Sequence, residues 1–310
     1  MAFATGAATN YDDLLDDLKT FLTTNASLVA ANQQWTVNAD TEVSGVREVY
    51  FQGPGLSGND QIHVNIKRYL FSATGAYNWG IRGATGYDSG SDYDNQPGTA
   101  TNPAYFCLAN IAIDYWFFAN GRRFIVIAKI GTVFTSMYAG FYLPYGLPSE
   151  IPFPMFIGAN SGIEGKLYTE TDVEISSFWR SGAILVAAGT DAGSYIRTND
   201  GFWLGIGQFQ SPEGDIGRIW PWNVANNSSI TVTSVNDYTE SPDGSYTVLP
   251  AIIYSRSYGT RDIYGELDGV FYAPGVNLNS EDTFTIGADT YTVFQSINRV
   301  DRFQFAAILQ

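Results

Sequence analysis

One stretch, "YWFFANGRRFIVIAKI" at residues 115–130, constrains the fold more than any other part of the 310-residue sequence. The pair Asn120-Gly121 at its centre is the strongest short-range signal for a β-hairpin, because both central positions of a type I′ turn need a positive φ. A two-residue loop at this pair predicts that Phe117 lies opposite Phe124, with their neighbours paired in the same register. The stretch is therefore predicted to form two antiparallel strands.

Both faces of this predicted hairpin are apolar. One face carries Tyr115, Phe117, Phe124 and Val126, and the other carries Trp116, Phe118, Ile125 and Ile127. A sheet with one face in water alternates apolar and polar residues, so this hairpin has to be covered on both sides, by its own chain or by another copy. The surplus of apolar strand favours a protein whose working part is a contact surface covered by partner protein.

Composition extends the β prediction to the whole chain. Aromatic residues make up 15% of it, with 32 Gly and 12 Pro, which favours strands joined by tight turns. Only residues 9–25 have convincing helical spacing, with Asn10 as N-cap and an apolar stripe formed by Leu14, Leu15, Leu18, Phe21 and Leu22. We therefore predict a mainly β fold of antiparallel, sandwich-type sheets with one N-terminal amphipathic helix.

A polar, glycine-bearing break at 159–170 suggests how the chain is divided. Residues 1–165 are predicted to form the helix and a β domain, and residues 166–310 a second β domain or the continuation of one large β fold. Further strands are predicted at 47–55, 60–71, 182–189, 201–209, 228–235 and 245–255, with a hairpin at 282–297 and a final strand at the end of the chain. In the 60–71 strand, alternation places His63 on the polar, solvent-facing side.

Charge and leader signals exclude several classes of partner. The net charge of −15 repels phosphate backbones and anionic lipid, so nucleic acid is not expected as a partner. The longest apolar runs are far shorter than a bilayer requires, so no membrane insertion is expected. The first ten residues lack the basic region and apolar run of a signal peptide, which predicts synthesis and assembly in a cytoplasm.

Chemical signatures are scarce. The single His and single Cys cannot make a four-ligand zinc cage. His63 has no nucleophile or orienting partner in its sequence surroundings, and Cys107 lies among apolar residues, which favours a buried, inert thiol. No motif selects the carboxylate pair that a glycosidase needs from among 31 acidic residues. We expect no enzymatic activity, no catalytic residue, no cofactor and no metal.

A long polar loop is predicted at 82–104, where Gly, Ser, Asp, Asn, Thr and Pro predominate. Its candidate recognition residues are Tyr87, Asp88, Asp92, Tyr93 and Asp94. The three Asp residues also suggest calcium, but their spacing is not that of an EF-hand, so a solvated acidic loop is favoured. Trp203, Trp220 and Trp222 are candidates for stacking on sugars, although core packing is the ordinary role of Trp.

A second candidate contact segment lies at 141–158, "FYLPYGLPSEIPFPMFIG", where four prolines predict a stiff, extended chain lying over a surface. We predict that this segment and the N-terminal helix form the assembly interface. The candidate interface residues are Leu14, Leu18, Phe21, Tyr142, Tyr145, Phe153 and Phe156.

Three blocks of the sequence resemble a family of structural proteins of tailed bacteriophages and prophages. They are "FATGAATNYDDLLDDLKTFL" (3–22), "YWFFANGRRFIVIAKIGTVFTSMYAGFYLPYGLPSEIPFPMFIG" (115–158) and "GELDGVFYAPGVNLNSEDTFTIGADTYTVFQSINRVDRFQFAAI" (265–308). The resemblance implies a virion component of the tail, tail tip or baseplate, which assembles with copies of itself and with other virion proteins in the host bacterial cytoplasm. The alternatives are a module that binds host-surface glycan and a capsid decoration protein.

Overall fold

The computed structural model describes residues 1–71, 73–170, 175–180, 193–206, 216–222, 247–256, 261–275, 277–297 and 305–310. The described part of the chain is mainly β, with 51% of the described residues in strands and 9% in helices, and the described sheets are antiparallel apart from one pair of strands. The predicted fold class is confirmed. The strands predicted at 182–189 and 228–235 lie outside the described residues.

Among the described residues, strands far outnumber helices. The helices are α1 (Tyr11–Thr24) and α2 (Ala26–Ala30), with a 3₁₀ turn at Phe178–Arg180. The first strands are β1 (Ala2–Ala8), β2 (Thr36–Val43), β3 (Val46–Gly53), β4 (Ile62–Phe71), β5 (Ala76–Ala84), β6 (Ala104–Leu108), β7 (Ile113–Ala119), β8 (Arg123–Ile130), β9 (Val133–Phe141), β10 (Leu143–Pro144) and β11 (Met155–Gly158). The later strands are β12 (Ser194–Arg197), β13 (Trp203–Ile206), β14 (Ile216–Trp220), β15 (Leu249–Arg256), β16 (Arg261–Ala273), β17 (Thr283–Ile286), β18 (Asp289–Gln295) and β19 (Phe305–Leu309).

Helix α1 forms where its sequence predicts it. The Asn10 side-chain oxygen accepts hydrogen bonds from the backbone N–H groups of Asp12 (2.8 Å) and Asp13 (3.0 Å). The side-chain carboxylates of Asp12 and Asp13 lie in the first turn, at the positive end of the helix dipole. The apolar stripe of the helix is buried, and the Phe21 ring lies 5.4 Å from that of Phe117. The helix therefore packs on a sheet of its own chain.

The strands of the described residues form two sheets. The smaller has five strands in the order β2-β3-β4-β5-β6, and the larger has fourteen, in the order β1-β7-β8-β9-β11-β12-β13-β14-β15-β16-β19-β18-β17, with β10 beside β16. The larger sheet contains strands from both sides of residue 165, since β11 pairs with β12. Hydrogen bonding thus continues across the predicted division of the chain.

Strands β7, β8, β9 and β11 form a central layer with a hydrophobic core on each face. The first core lies between this layer, the small sheet and α1, and it includes Phe117, Phe124, Val126, Phe51, Val64, Trp79 and Leu18. The second lies between this layer and the later strands of the same large sheet, and it includes Trp116, Phe118, Ile125, Ile127, Ile253, Tyr272 and Phe294. The chain itself therefore covers both faces of the hairpin, so the expectation that partner protein covers them is wrong for this layer.

The predicted register of the hairpin is wrong by two residues. Phe117 pairs with Val126, and the pair nearest the turn is Ala119 with Phe124. Asn120 accounts for the difference, because its side-chain oxygen accepts hydrogen bonds from the N–H groups of Arg122 (2.8 Å) and Arg123 (3.0 Å). This bonding stabilises a longer loop than a type I′ turn.

The C-terminal elements follow their predictions. Strands β17 and β18 form the hairpin expected at 282–297, with Ile286 opposite Asp289 and Gly287 at φ +62° in the turn. The final strand, β19, lies between β16 and β18, so the apolar end of the described chain belongs to its own sheet. Strand β1 has no counterpart among the predicted strands.

Candidate functional site

The proline-bearing segment at 141–158 contributes side chains to both cores, and most of its aromatic side chains are buried. Tyr142 and Phe156 are fully buried, and Phe153 is half-buried against the first core. Tyr142 and Phe156 serve the interior of the chain, so their predicted interface role is wrong for this fold, whereas part of Phe153 stays exposed. Tyr145 differs, since 55% of it is exposed.

Tyr145 lies in an exposed apolar patch. Its backbone N–H donates to the Tyr264 carbonyl (3.0 Å), which brings β10 alongside β16. Near that contact, Leu147 is 63% exposed and Ile263 is 62% exposed. We call Tyr145, Leu147 and Ile263 the Tyr145 patch. Tyr145 and Leu147 are two residues apart in the chain, and Ile263 precedes the residue whose carbonyl accepts the Tyr145 N–H. Exposed apolar residues on adjoining segments are candidates for a contact surface.

The tyrosine of this patch is fixed in place. Its hydroxyl donates to a carboxylate oxygen of Glu266 at 2.8 Å. Partial burial and the Glu266 carboxylate raise the pKa of Tyr145 to about 12, so the hydroxyl remains protonated at neutral pH. The segment after it is stiffened by the N–H of Leu147, which donates to the Glu150 side chain at 2.9 Å. The patch is therefore presented on an ordered backbone.

The predicted interface residues on α1 lie elsewhere. Leu14 and Leu18 are fully buried and Phe21 is 7% exposed, all in the first core. Their predicted contact with a partner is wrong, because the stripe is occupied by β7 and the small sheet. The physical reason is ordinary amphipathic packing.

The polar loop, which we define as the 85–103 loop, folds back onto the outer face of the small sheet. Tyr93 is completely buried, with its ring centroid 5.3 Å from the Lys67 ammonium and 5.0 Å from the Arg82 guanidinium. The next residue, Asp94, forms ion pairs with Arg82 (2.9 Å) and Lys67 (3.8 Å). The prediction that Tyr93 is an exposed recognition residue is wrong, because Tyr93 anchors the loop.

A glutamine organises the interior of the same loop. The Gln96 side chain donates to the carbonyls of Ser91 (2.6 Å) and Asp88 (3.0 Å) and accepts from the Asp88 N–H (2.9 Å). Tyr87 is half-buried against Tyr50, with ring centroids 5.4 Å apart. The exposed residues of the loop include three acidic ones, Asp88, Asp92 and Asp94. In the part of the chain that the structure describes, no group of three acidic, His or Cys side chains is placed to hold a metal.

His63 is buried, contrary to its predicted solvent-facing position. It is 4% exposed, and the adjacent Asn65 is 2% exposed. The 85–103 loop leaves β5 immediately after Ala84, which pairs with His63, and folds across this face. Neither ring nitrogen of His63 has a hydrogen-bond partner within the described ranges, and burial lowers its pKa. The predicted burial of Cys107 is confirmed, and burial raises the pKa of its thiol well above the usual range.

A buried ion pair that the sequence did not reveal links the hairpin loop to β16. Arg123 is completely buried, lies 3.5 Å from the Asp268 carboxylate and donates to the Phe118 carbonyl (3.2 Å). Asn120 also donates to Asp268, at 2.8 Å. A β-bulge in β16 carries Asp268 to this position, and bulges are hard to foresee from sequence.

The three tryptophans proposed for sugar stacking do not form one surface of free rings. Trp222 is 3% exposed in the second core, and Trp203 and Trp220 are half-buried. The indole N–H of Trp203 donates to the Gly98 carbonyl at 3.0 Å, so this ring also holds down the 85–103 loop.

Comparison with known proteins adds no family. No protein-family model matches the chain, and no curated protein matches it. Within the residues that the structure describes, no helix combines the length and apolar character needed to cross a membrane.

Proposed function

We propose that this chain is a structural component of a tailed-bacteriophage virion, located in the tail, tail tip or baseplate, and that it acts through contacts with other subunits. The observation that carries the proposal is the Tyr145 patch. Its three exposed apolar residues lie on two adjoining segments, around β10 and on β16, which hydrogen bonds hold together. Assembly requires a complementary area of this kind and no reactive group.

The spatial arrangement of the phage-like blocks supports the proposal. Strand β1, from the first block, pairs with β7 of the second block along its whole length. Strand β10 of the second block pairs with β16, where the third block begins. Trp116 and Phe294, from the second and third blocks, have ring centroids 5.3 Å apart. The segments that resemble virion proteins thus form one packed unit, and the Tyr145 patch lies where the second and third blocks meet.

The large negative charge of the chain also suits a subunit that remains free in solution before it assembles. A net charge of −15 keeps free copies apart at long range, until a specific apolar contact forms. Two carboxylates border the patch, Glu266 at the Tyr145 hydroxyl and Glu150 at the Leu147 N–H.

The proposal is tested on particles of the phage or prophage that encodes the chain. Gradient-purified particles are analysed by quantitative mass spectrometry and by antibody labelling in electron micrographs. We expect the chain in fixed stoichiometry, with label on the tail. Its absence from the particles, or label on the capsid surface, would overturn the proposed location.

Variants then connect the patch to assembly. We expect Leu147→Ser with Ile263→Ser to leave the protein folded and to lower its incorporation into particles at least tenfold, because an apolar contact is lost. The matched control is Val43→Ser with Leu70→Ser, since these side chains are 71% and 53% exposed elsewhere on the chain. Equal incorporation of the two double variants would show that the patch is not the contact surface.

A further inference from the structure

The loop between β7 and β8 contains the Asn120-Gly121 pair, and an Asn-Gly pair occurs nowhere else in the sequence. In such a pair the backbone nitrogen of the glycine can attack the side-chain amide carbon of the asparagine, because glycine has no side chain to shield it. The nitrogen loses its proton, ammonia leaves, and a five-membered succinimide ring forms. Water then opens the ring to aspartate or isoaspartate. Asn120 is therefore a candidate site of spontaneous deamidation.

The folded chain holds the amide of Asn120 in place through both of its polar atoms. Its oxygen accepts hydrogen bonds from the N–H groups of Arg122 (2.8 Å) and Arg123 (3.0 Å). Its nitrogen donates to the Asp268 carboxylate at 2.8 Å. Rotation of the amide carbon toward the backbone nitrogen of the next residue would break these three hydrogen bonds.

The attacking nitrogen and the water are restricted as well. The N–H of Gly121 donates to the side-chain oxygen of Gln33 at 3.3 Å, and the Gly121 carbonyl accepts from the N–H of Gly55 at 2.8 Å. Asn120 is 7% exposed, so little water reaches its side chain. In the folded chain the reaction therefore requires the loop to open first.

Neither product of deamidation fits this site. Aspartate at position 120 places an oxygen where the amide nitrogen now donates to Asp268, so two carboxylates face each other at hydrogen-bond distance. Arg123, 3.5 Å from Asp268, supplies one positive charge for the two. Isoaspartate lengthens the main chain by one carbon atom beside Gly121, where an added Cβ would already meet the Gly55 carbonyl oxygen at 2.1 Å. Both products therefore oppose closure of the loop.

We propose that Asn120 is a deamidation site that folding protects, so that a chain which reacts before it folds cannot close this loop. The loop joins the hairpin to β16 through Asp268, and a failure here weakens the contact between the central layer and the later strands. The reaction needs only the Asn-Gly pair and water, and the loss of ammonia makes it irreversible. It limits the time that a chain can remain unfolded, whatever place the folded chain takes in a virion.

The wild-type chain, folded in buffer and unfolded in urea, tests the protection. Both samples are kept at the same mildly alkaline pH and temperature, and peptide mass spectrometry with an isoaspartate assay follows position 120. We expect deamidation there to be at least tenfold faster in urea, because the folded chain reacts only when the loop opens. A synthetic peptide of residues 117–123, with and without urea, corrects for the solvent. Equal corrected rates, or no reaction at Asn120 in urea, would overturn the proposal.

Variants test whether the product opposes the fold. We expect Asn120→Asp to lower the melting temperature at neutral pH, measured by circular dichroism, because of the carboxylate of Asp268. Adding Asp268→Asn exchanges donor and acceptor, keeps one carboxylate beside Arg123, and should recover most of the loss. The matched control is Asn95→Asp, since Asn95 donates to Asp92 at 2.7 Å in an exposed position where solvent screens the two charges. An unchanged melting temperature for Asn120→Asp, or no recovery in the double variant, would overturn the effect on the loop.

Discussion

The carbonyl oxygen of Gly55 lies where a side chain at position 121 would begin. A Cβ built on Gly121 would meet this oxygen at 2.1 Å, and the N–H of Gly55 donates to the Gly121 carbonyl at 2.8 Å. The Asn-Gly pair that predicts the hairpin is therefore needed for a reason other than positive φ. Two backbones meet here, and only glycine permits the approach.

This contact makes Gly121→Ala a sharp test of the loop. We expect the variant to lower the free energy of unfolding by about 1–3 kcal/mol, because the overlap forces backbone to move. The control is Gly86→Ala, whose nearest neighbour would be a Pro97 carbon at an ordinary 3.5 Å, with an effect within about 0.5 kcal/mol. Urea denaturation measures both, and equal stabilities would contradict the close approach.

His63 gives the residue-scale prediction for pH. Burial lowers its pKa, so below about pH 6.5 the unfolded chain takes up a proton that the folded chain resists, and stability falls with the pH. Because the chain has one histidine, His63→Asn should flatten the stability profile between about pH 7.5 and pH 5.5. Denaturation at several pH values measures this difference. A wild-type profile as flat as that of the variant would show that the imidazole is not held neutral by burial.

At the scale of the element, the hairpin shows which part of a sheet can be predicted from sequence. The residues on each face of β7 and β8 are predicted correctly, although the register is wrong by two. Side chains alternate with a period of two, so a slip of two residues keeps every side chain on its face. The register itself depends on Asn120 and on contacts with distant residues such as Gly55 and Asp268, which local pattern does not encode.

The 85–103 loop shows a feature that the sequence pattern does not predict, namely the burial of one of its side chains. Its composition predicts an exposed loop, and composition gives no sign that Tyr93 lies between two cations of the neighbouring strands. We expect Tyr93→Ala to lower the free energy of unfolding by about 3–5 kcal/mol and to make the loop sensitive to limited proteolysis. Asp92→Ala, at an exposed position, should leave both nearly unchanged. Resistance of the Tyr93 variant to protease would contradict its role as an anchor.

Helix α1 gives a further prediction at this scale. Its stripe fills the first core, so Leu18→Ala should lower the free energy of unfolding by about 2–5 kcal/mol and leave association of the folded chain unaltered. Thermal melting and sedimentation equilibrium, measured on the same sample, separate the two effects. Weaker self-association with normal stability would show that the helix is an interface after all.

At the scale of the whole molecule, the sequence predicts which strands form buried layers better than it predicts what covers those layers. Both faces of the hairpin are indeed apolar, as predicted. However, the later strands of the large sheet cover the hairpin, as the contact of Trp116 with Phe294 shows. Whether a strand is covered by its own chain or by another copy depends on contacts between residues far apart in the sequence. The remaining candidate for contact is the Tyr145 patch, whose residues stay exposed after the chain has covered its own hairpin.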